Sequence, residues 1–255
     1  MLAFQTFGAA DSALPPILIA HGLFGSGRNW RAIATRLAET RRVVTVDMRN
    51  HGDSFRAESQ TYPDMAADLA EVIAAFGGEA DVIGHSMGGK AAMTLALTRP
   101  EAVRRLLVAD IAPVAYVHGE GHRGLIAAMK GLDLSAITSR READAALAAQ
   151  IPERAVRAFL LQSLDIPARR WRLNLDVLER ALPDIMDFPA VGAPFAGPVL
   201  FLAGAQSDYI RPEHRAAIKA LFPKARQAKI PGAGHWLHAE NPRAFEAAAR
   251  VFLDA

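Results

Sequence analysis

Gly84-His85-Ser86-Met87-Gly88-Gly89 is the stretch of this chain where residue type and spacing point most directly to chemistry. It follows the apolar run of residues 80–83 and precedes the helix-prone residues 90–97, so a G-x-S-x-G pattern falls on a strand–turn–helix junction. A serine on so sharp a turn takes strained dihedrals, and side chains two positions to either side would crowd the neighbouring strands. The result is an Oγ exposed at the start of a helix, where backbone N–H groups and the dipole favour a developing oxyanion. Ser86 is therefore the candidate nucleophile, and the chemistry is acyl transfer.

A serine hydroxyl is a weak nucleophile near neutral pH and needs a base within hydrogen-bond reach. Of the eight histidines, His21, His51 and His85 lie inside loop motifs, and His118, His122 and His214 lie in or beside expected surface helices. His235 and His238 remain. His235 follows a strand-like Ala228-Lys229-Ile230 and the turn Pro231-Gly232-Ala233-Gly234, so it is expected on a loop at the sheet's carboxyl edge. His238 is expected to face the helix that follows. The base in turn needs a carboxylate to orient it and to stabilise the imidazolium. Asp208, after the strand-like residues 199–202, gives the order Ser…Asp…His and is preferred. Asp110, which ends the strand-like residues 105–109, points at the same end of the sheet and stays open as the alternative. Either aspartate also has a structural reading as a cap of the segment after it.

Two N–H donors must hold the oxyanion. Met87, next after the nucleophile, supplies one, and the glycine-rich loop His21-Gly22-Leu23-Phe24-Gly25-Ser26-Gly27 supplies the other through the Leu23 amide. That loop lacks the spacing and the lysine of a phosphate-binding loop. Phe24, Met87, Tyr116 and Trp236 flank these loops and are candidate pocket walls. In Asp47-Met48-Arg49-Asn50-His51-Gly52-Asp53-Ser54, an Arg49–Asp47 pair is expected to brace the turn. Arg169, Arg170 and Arg172 around Trp171 form a basic face, either solvated or set for an anionic substrate tail. No metal site is expected: H-E-x-x-H is absent, and Glu213-His214 are adjacent and point two ways.

The elements that must position these residues alternate along the chain. Short runs apolar on both faces end in Gly, Asp or Asn near residues 20, 46, 83, 109 and 202, as buried parallel strands do. Helices are expected over residues 30–38, 62–76, 87–98, 212–222 and 242–253, with residues 2–7 as an edge strand. The fold class is α/β, a mostly parallel sheet flanked by helices. Residues 1–112 and 198–255 form its core, and residues 113–197, helical and punctuated by prolines, form a cap over the carboxyl ends of the strands. Composition agrees with a globular chain of 255 residues, 51% hydrophobic and 22% charged. A net charge of +2 is no nucleic-acid footprint, and the absence of cysteine removes disulfides, thiolate catalysis and thiolate metal sites. No apolar run has the length of a membrane span, so a cytoplasmic protein without a membrane partner is expected, a monomer or a small homo-oligomer.

These motifs resemble the α/β-hydrolase superfamily, and within it the capped esterases grouped with the abhydrolase-domain-containing serine hydrolases and their bacterial relatives. The likeness is carried by residues 21–26, 47–52, 84–90, Asp110-Ile111-Ala112-Pro113 and Gly232-Ala233-Gly234-His235-Trp236. It implies hydrolysis of carboxylic esters, with acyl-CoA thioesters as a second substrate class, and no cofactor. It also implies that the acid comes from either the Asp110 or the Asp208 position. Haloalkane dehalogenases and epoxide hydrolases are excluded, because they need a carboxylate where Ser86 stands. A cofactor-free perhydrolase, a C–C bond hydrolase and a ligand-binding protein on the same fold are the alternative readings.

Overall fold

Strands that are apolar on both faces must be covered on both faces, and this requirement organises the molecule. The computed structural model describes residues 1–255 apart from Ala10 and His118, and the expectation placed on His118 therefore lies outside the described residues. In chain order the strands are β1 (Phe4–Phe7), β2 (Ile17–Ala20), β3 (Val43–Val46), β4 (Ala80–His85), β5 (Val103–Ala109), β6 (Leu164–Asp165), β7 (Arg170–Trp171), β8 (Val199–Gly204) and β9 (Ala225–Ile230). Seven of them form one sheet in the order β1-β3-β2-β4-β5-β8-β9. All its pairings are parallel except that of β1, which runs antiparallel on β3 as an edge. The central strands β2, β3, β4 and β8 are buried along their whole length. The far edge, β9, buries only Ala225 and Ile230, and its exposed Arg226 and Lys229 discourage further strand pairing.

Helices cover the two faces. One carries α1 (Arg31–Leu37) and α11 (Pro242–Leu253), and its apolar cluster includes Trp30, Ile33, Leu37, Phe245 and Leu253. The other carries α2 (Tyr62–Ala74) and α3 (Met87–Thr98), with Met65, Leu69, Val72 and Leu95 buried against the sheet. Proline marks the first turn of both α2 and α11, where its missing N–H is no loss. Among the described residues, no helix is long and apolar enough to cross a membrane.

Between β5 and β8 run the helices α4 (Gly119–Lys130), α5 (Arg140–Leu147), α6 (Arg154–Leu160), α7 (Leu175–Arg180) and α8 (Leu182–Met186). The expectation of helices alone in this interval needs one correction. β6 and β7 form a two-rung antiparallel hairpin, Leu164 opposite Trp171 and Asp165 opposite Arg170. Strands of two residues carry no readable periodicity, which is why the pattern conceals them. The segment after the hairpin joins the loop that follows β3: Gly52 N–H donates to Arg172 C=O at 2.7 Å, Asn174 N–H donates to Asn50 C=O at 2.9 Å, and His51 bridges Leu173. Beyond β8 the chain continues through α9 (Arg215–Leu221), and α10 (Leu237–Glu240) lies between β9 and α11.

Candidate active site

Ser86 sits between the end of β4 and the first residue of α3, at φ 52° and ψ −120°. Serine rarely adopts such a conformation, and it persists because the turn is over-determined. A Cβ on Gly84 would stand 2.4 Å from Gly88 C=O, and one on Gly88 would stand 2.4 Å from His21 C=O. Only glycine lets the strand, the turn and the helix approach this closely. The Ser86 amide donates to Ala109 C=O at the end of β5, and Ser86 is partly exposed among buried neighbours.

His235 lies on the loop between β9 and α10. Its Nδ1 hydrogen-bonds Asp110 Oδ2 at 2.7 Å, which leaves Nε2 as the basic nitrogen. Asp110 follows directly on β5, is fully buried, and takes a positive φ of 53°. Its carboxylate also accepts the Gly204 amide at 3.1 Å and the Ser207 hydroxyl. Tyr209 stacks on the His235 ring, with centroids 3.9 Å apart. The preference for Asp208 is corrected here. Asp208 is exposed, and its backbone carbonyl accepts from Arg211 Nε at 3.0 Å. The end of β8 and the loop after it do reach Asp110, but through the Gly204 amide and the Ser207 hydroxyl.

The loop of residues 21–27 turns sharply: Gly25 N–H donates to Gly22 C=O at 3.0 Å, and Phe24 takes φ +64°. Two buried imidazoles brace it. His21 donates from Nδ1 to Gly22 C=O at 2.8 Å and accepts the Met48 amide at Nε2, at 2.9 Å. His51 donates from Nδ1 to Arg49 C=O at 2.8 Å and accepts the Phe24 amide at Nε2, at 3.2 Å. Accepting at Nε2 requires a neutral ring, and burial lowers His21 to about 4 and His51 to about 3. Both belong to the loop motifs that the sequence displays after a strand or turn. The Leu23 and Met87 amides have no acceptor among the described residues, so two backbone donors are open next to Ser86.

Arg49 does not pair with Asp47. It binds Asp68 through Nε at 2.6 Å and Asp64 through Nη1 at 3.3 Å, while Asp47 accepts the Gly27 and Asp53 amides. Asp47 is thus taken up by backbone donors, and Arg49 turns instead to α2. His238 stacks on Trp30 at 4.1 Å and lies 6.3 Å from Phe245 of α11, in line with its expected direction. His85 donates from Nε2 to the His235 carbonyl at 2.8 Å, fixing the backbone at His235.

Ser86 and His235 line one cavity of about 510 Å³. Its apolar walls are Phe24 and Trp236 from the loops after β2 and β9, and Leu125, Val156, Phe159 and Leu160 from α4 and α6. Phe159 and Trp236 meet across it, with ring centroids 5.6 Å apart. His122, expected on a surface helix, turns to this cavity from α4. Tyr116 lines a small adjoining recess with Met87 and Lys90. Its hydroxyl accepts the Ala112 amide at 2.9 Å and donates to Tyr209 C=O at 2.6 Å, so it braces the loops around Asp110. Arg169, Arg170 and Arg172 do not line the cavity, and Arg172 pairs with Asp53 and Asp165.

Comparison with known proteins shows the family. Residues 17–248 match the model of the alpha/beta hydrolase family. The chain is 43% identical over 252 residues to the sn-1-specific diacylglycerol lipase ABHD11 of Mus musculus, covering 95% of this chain and 82% of that one. It is 39% identical over 240 residues to esterase YbfF of Escherichia coli (strain K12), covering 94% and 93%. A solved marine microorganism esterase superposes with a TM-score of 0.93 at 39% identity, covering 98% of each chain. The chain belongs to the alpha/beta hydrolase family, in its esterase group, and is a carboxylic ester hydrolase.

Proposed function

We propose that the chain cleaves esters of apolar acyl chains through a covalent acyl-enzyme on Ser86, with His235 as base and Asp110 as its orienting acid. The observation that carries this reading is the 2.7 Å contact of His235 Nδ1 with a buried Asp110, beside a cavity that Ser86 also lines. His235 Nε2 takes the Ser86 proton as Oγ adds to the ester carbonyl carbon. Asp110 keeps the ring in the tautomer that leaves Nε2 basic, and it stabilises the imidazolium that forms. The Leu23 and Met87 amides receive the charge that develops on the carbonyl oxygen. The adduct collapses, His235 returns the proton to the leaving alkoxide, and the alcohol departs. A water, deprotonated by His235, then attacks the acyl carbon and releases the acid, restoring Ser86.

The wall chemistry indicates the acyl side of the substrate. A cavity of about 510 Å³ faced by Phe24, Leu125, Phe159 and Trp236 suits a hydrocarbon chain, since burying apolar surface is the main source of affinity in such a pocket. The mouse relative is named for diacylglycerol, which makes acylglycerols the first natural esters to test.

Incubation with a fluorophosphonate, read by intact mass, should give one adduct on the wild type and none on Ser86→Ala. With p-nitrophenyl esters, kcat/KM should rise from acetate toward longer chains as the cavity fills. No adduct on the wild type, with either the fluorophosphonate or the smaller phenylmethylsulfonyl fluoride, would overturn the acyl-enzyme reading.

A further inference from the structure

Phe24 is gripped from two sides by two different parts of the chain. From the core, His51 Nε2 accepts its N–H at 3.2 Å. From the insertion, the Ser163 hydroxyl donates to its C=O at 3.0 Å, in a buried contact. Between these two bonds Phe24 holds φ +64°, as the third residue of the turn closed by Gly25 N–H on Gly22 C=O. That turn position calls for glycine, so a bulky residue there must be held by its surroundings. The residue before it is Leu23, whose amide has no acceptor among the described residues and which lines the cavity with Ser86.

The two grips are also tied to each other. Ser163 is the last residue of a short 3-10 turn, Leu161–Ser163, that links α6 to β6. Its own C=O accepts the Arg172 amide at 2.8 Å, and the Arg172 C=O accepts the Gly52 amide at 2.7 Å, next to His51. The neighbouring Gln162 adds a tether to the same loop, accepting from Asn29 Nδ2 at 2.6 Å, while Asn29 Oδ1 accepts the Ser26 amide at 2.7 Å. The short hairpin thus places Ser163 with respect to His51, and the pair sets the orientation of the peptides on either side of Phe24.

We infer that Ser163 is a positioning residue for the oxyanion hole: the insertion, when seated, completes the geometry that aims the Leu23 amide at the reacting carbonyl oxygen. Roofing the cavity and preparing the catalytic turn are then a single event. A substrate that seats the insertion better in its transition state is turned over faster, not only bound more tightly. The inference rests on the proposed role of Leu23 and deepens it.

The test compares Ser163→Ala with the pair Ser163→Thr and Ser163→Val, which share a shape but differ in the hydroxyl. Each variant is assayed for kcat and KM on one p-nitrophenyl ester, for the inhibition constant of a trifluoromethyl ketone bearing the same acyl chain, and for thermal stability. The ketone adds Ser86 Oγ at its carbonyl and places a full oxyanion in the hole. Loss of one oxyanion donor costs about 10²–10³ in kcat, so a misaimed donor should cost at least roughly tenfold. The expected result for Ser163→Ala and Ser163→Val is a tenfold or larger fall in kcat, a matching rise in the ketone inhibition constant, and KM within about twofold of wild type. Ser163→Thr should recover most of both losses. A loss of thermal stability alone, with kcat and ketone affinity kept, would overturn the inference, as would equal behaviour of the Thr and Val variants. Should Ser163→Ala fail to fold, the Thr–Val comparison decides. Fluorophosphonate labelling separates the two levels of failure: wild type that does not label refutes the acyl-enzyme reading, whereas a labelling wild type with unimpaired Ser163→Val refutes only the role of Ser163.

Discussion

Asp110 and Asp208 are the same residue type on neighbouring loops, and their surroundings set them apart. Asp110 is buried and collects three donors: the His235 ring, the Gly204 amide and the Ser207 hydroxyl. Its backbone stands at φ +53°, a position aspartate tolerates better than most residues because its short polar side chain bonds locally. Asp208 is in the solvent. An asparagine at position 110 keeps the shape but can offer its N–H₂ to Nδ1, turning the ring to the wrong tautomer. Ser86 then loses its base. Asp110→Asn should therefore cost roughly 10³–10⁴ in kcat on a p-nitrophenyl ester. Asp208→Asn removes an exposed charge and should leave kcat within about twofold. The reverse order, or equal small losses, would remove Asp110 from its proposed role.

At the scale of elements, the chain itself displays the strands and helices that bury whole faces. Residues 87–98 and 242–253 are read from the sequence with the bounds that α3 and α11 have, because glycine, proline and the apolar spacing mark both ends. Ser86 and His235 stand out for the same reason, each on a short local pattern after a strand. The choice between Asp110 and Asp208 is not local, since it depends on which of two loops folds inward across the sheet. The hairpin β6–β7 is equally hidden, being defined by partners and not by periodicity. Lys90 belongs with these long-range features. It lies on α3, almost fully buried, and its Nζ donates to Met186 C=O at 2.9 Å and Asp187 C=O at 2.6 Å. Those carbonyls end α8, where a helix leaves its last acceptors unpaired and favours a cation. Tyr62 adds a bond to Ile185 C=O at 2.6 Å. Lys90→Met keeps the length and leaves two buried carbonyls without a donor, so about 1–3 kcal/mol of stability should be lost. For a chain of this size each kcal/mol shifts Tm by about 2–4 °C, and a melt should show the fall plainly. An unchanged Tm would mean that Lys90 does not fasten the insertion.

The whole molecule carries a consequence of how its site is braced. His21, His51, His85 and His238 lie close together under the reacting groups, holding the loop of residues 21–27, the loop after β3, the end of β4 and the start of α10. Burial keeps all four neutral, lowering His21 to about 4, His51 and His238 to about 3, and His85 well below the ordinary value of 6.5. Above pH 6.5 neither the folded nor the unfolded chain binds these protons, and they cost nothing. Below it the unfolded chain takes them up while the folded one refuses, so stability falls as pH drops from 6.5 toward 4. Each imidazole contributes a slope of at most about 1.4 kcal/mol per pH unit, and four together at most ~5.5. Against a total stability of about 5–15 kcal/mol, that slope is enough to unfold the chain within a few pH units of 6.5. Lys90, which burial lowers to about 7, already tilts stability downward as pH drops from 8 to 7, and the four imidazoles should make Tm fall steeply below about 6. His238 offers the cleanest check, since its Nδ1 has no hydrogen-bond partner among the described residues and its ring already stacks on Trp30. Phenylalanine there keeps an aromatic ring in the stack and removes one site of proton uptake. His238→Phe should flatten the acid limb by about a quarter and move the acid midpoint to lower pH, while an acid limb identical to wild type would show that the buried imidazoles do not set it.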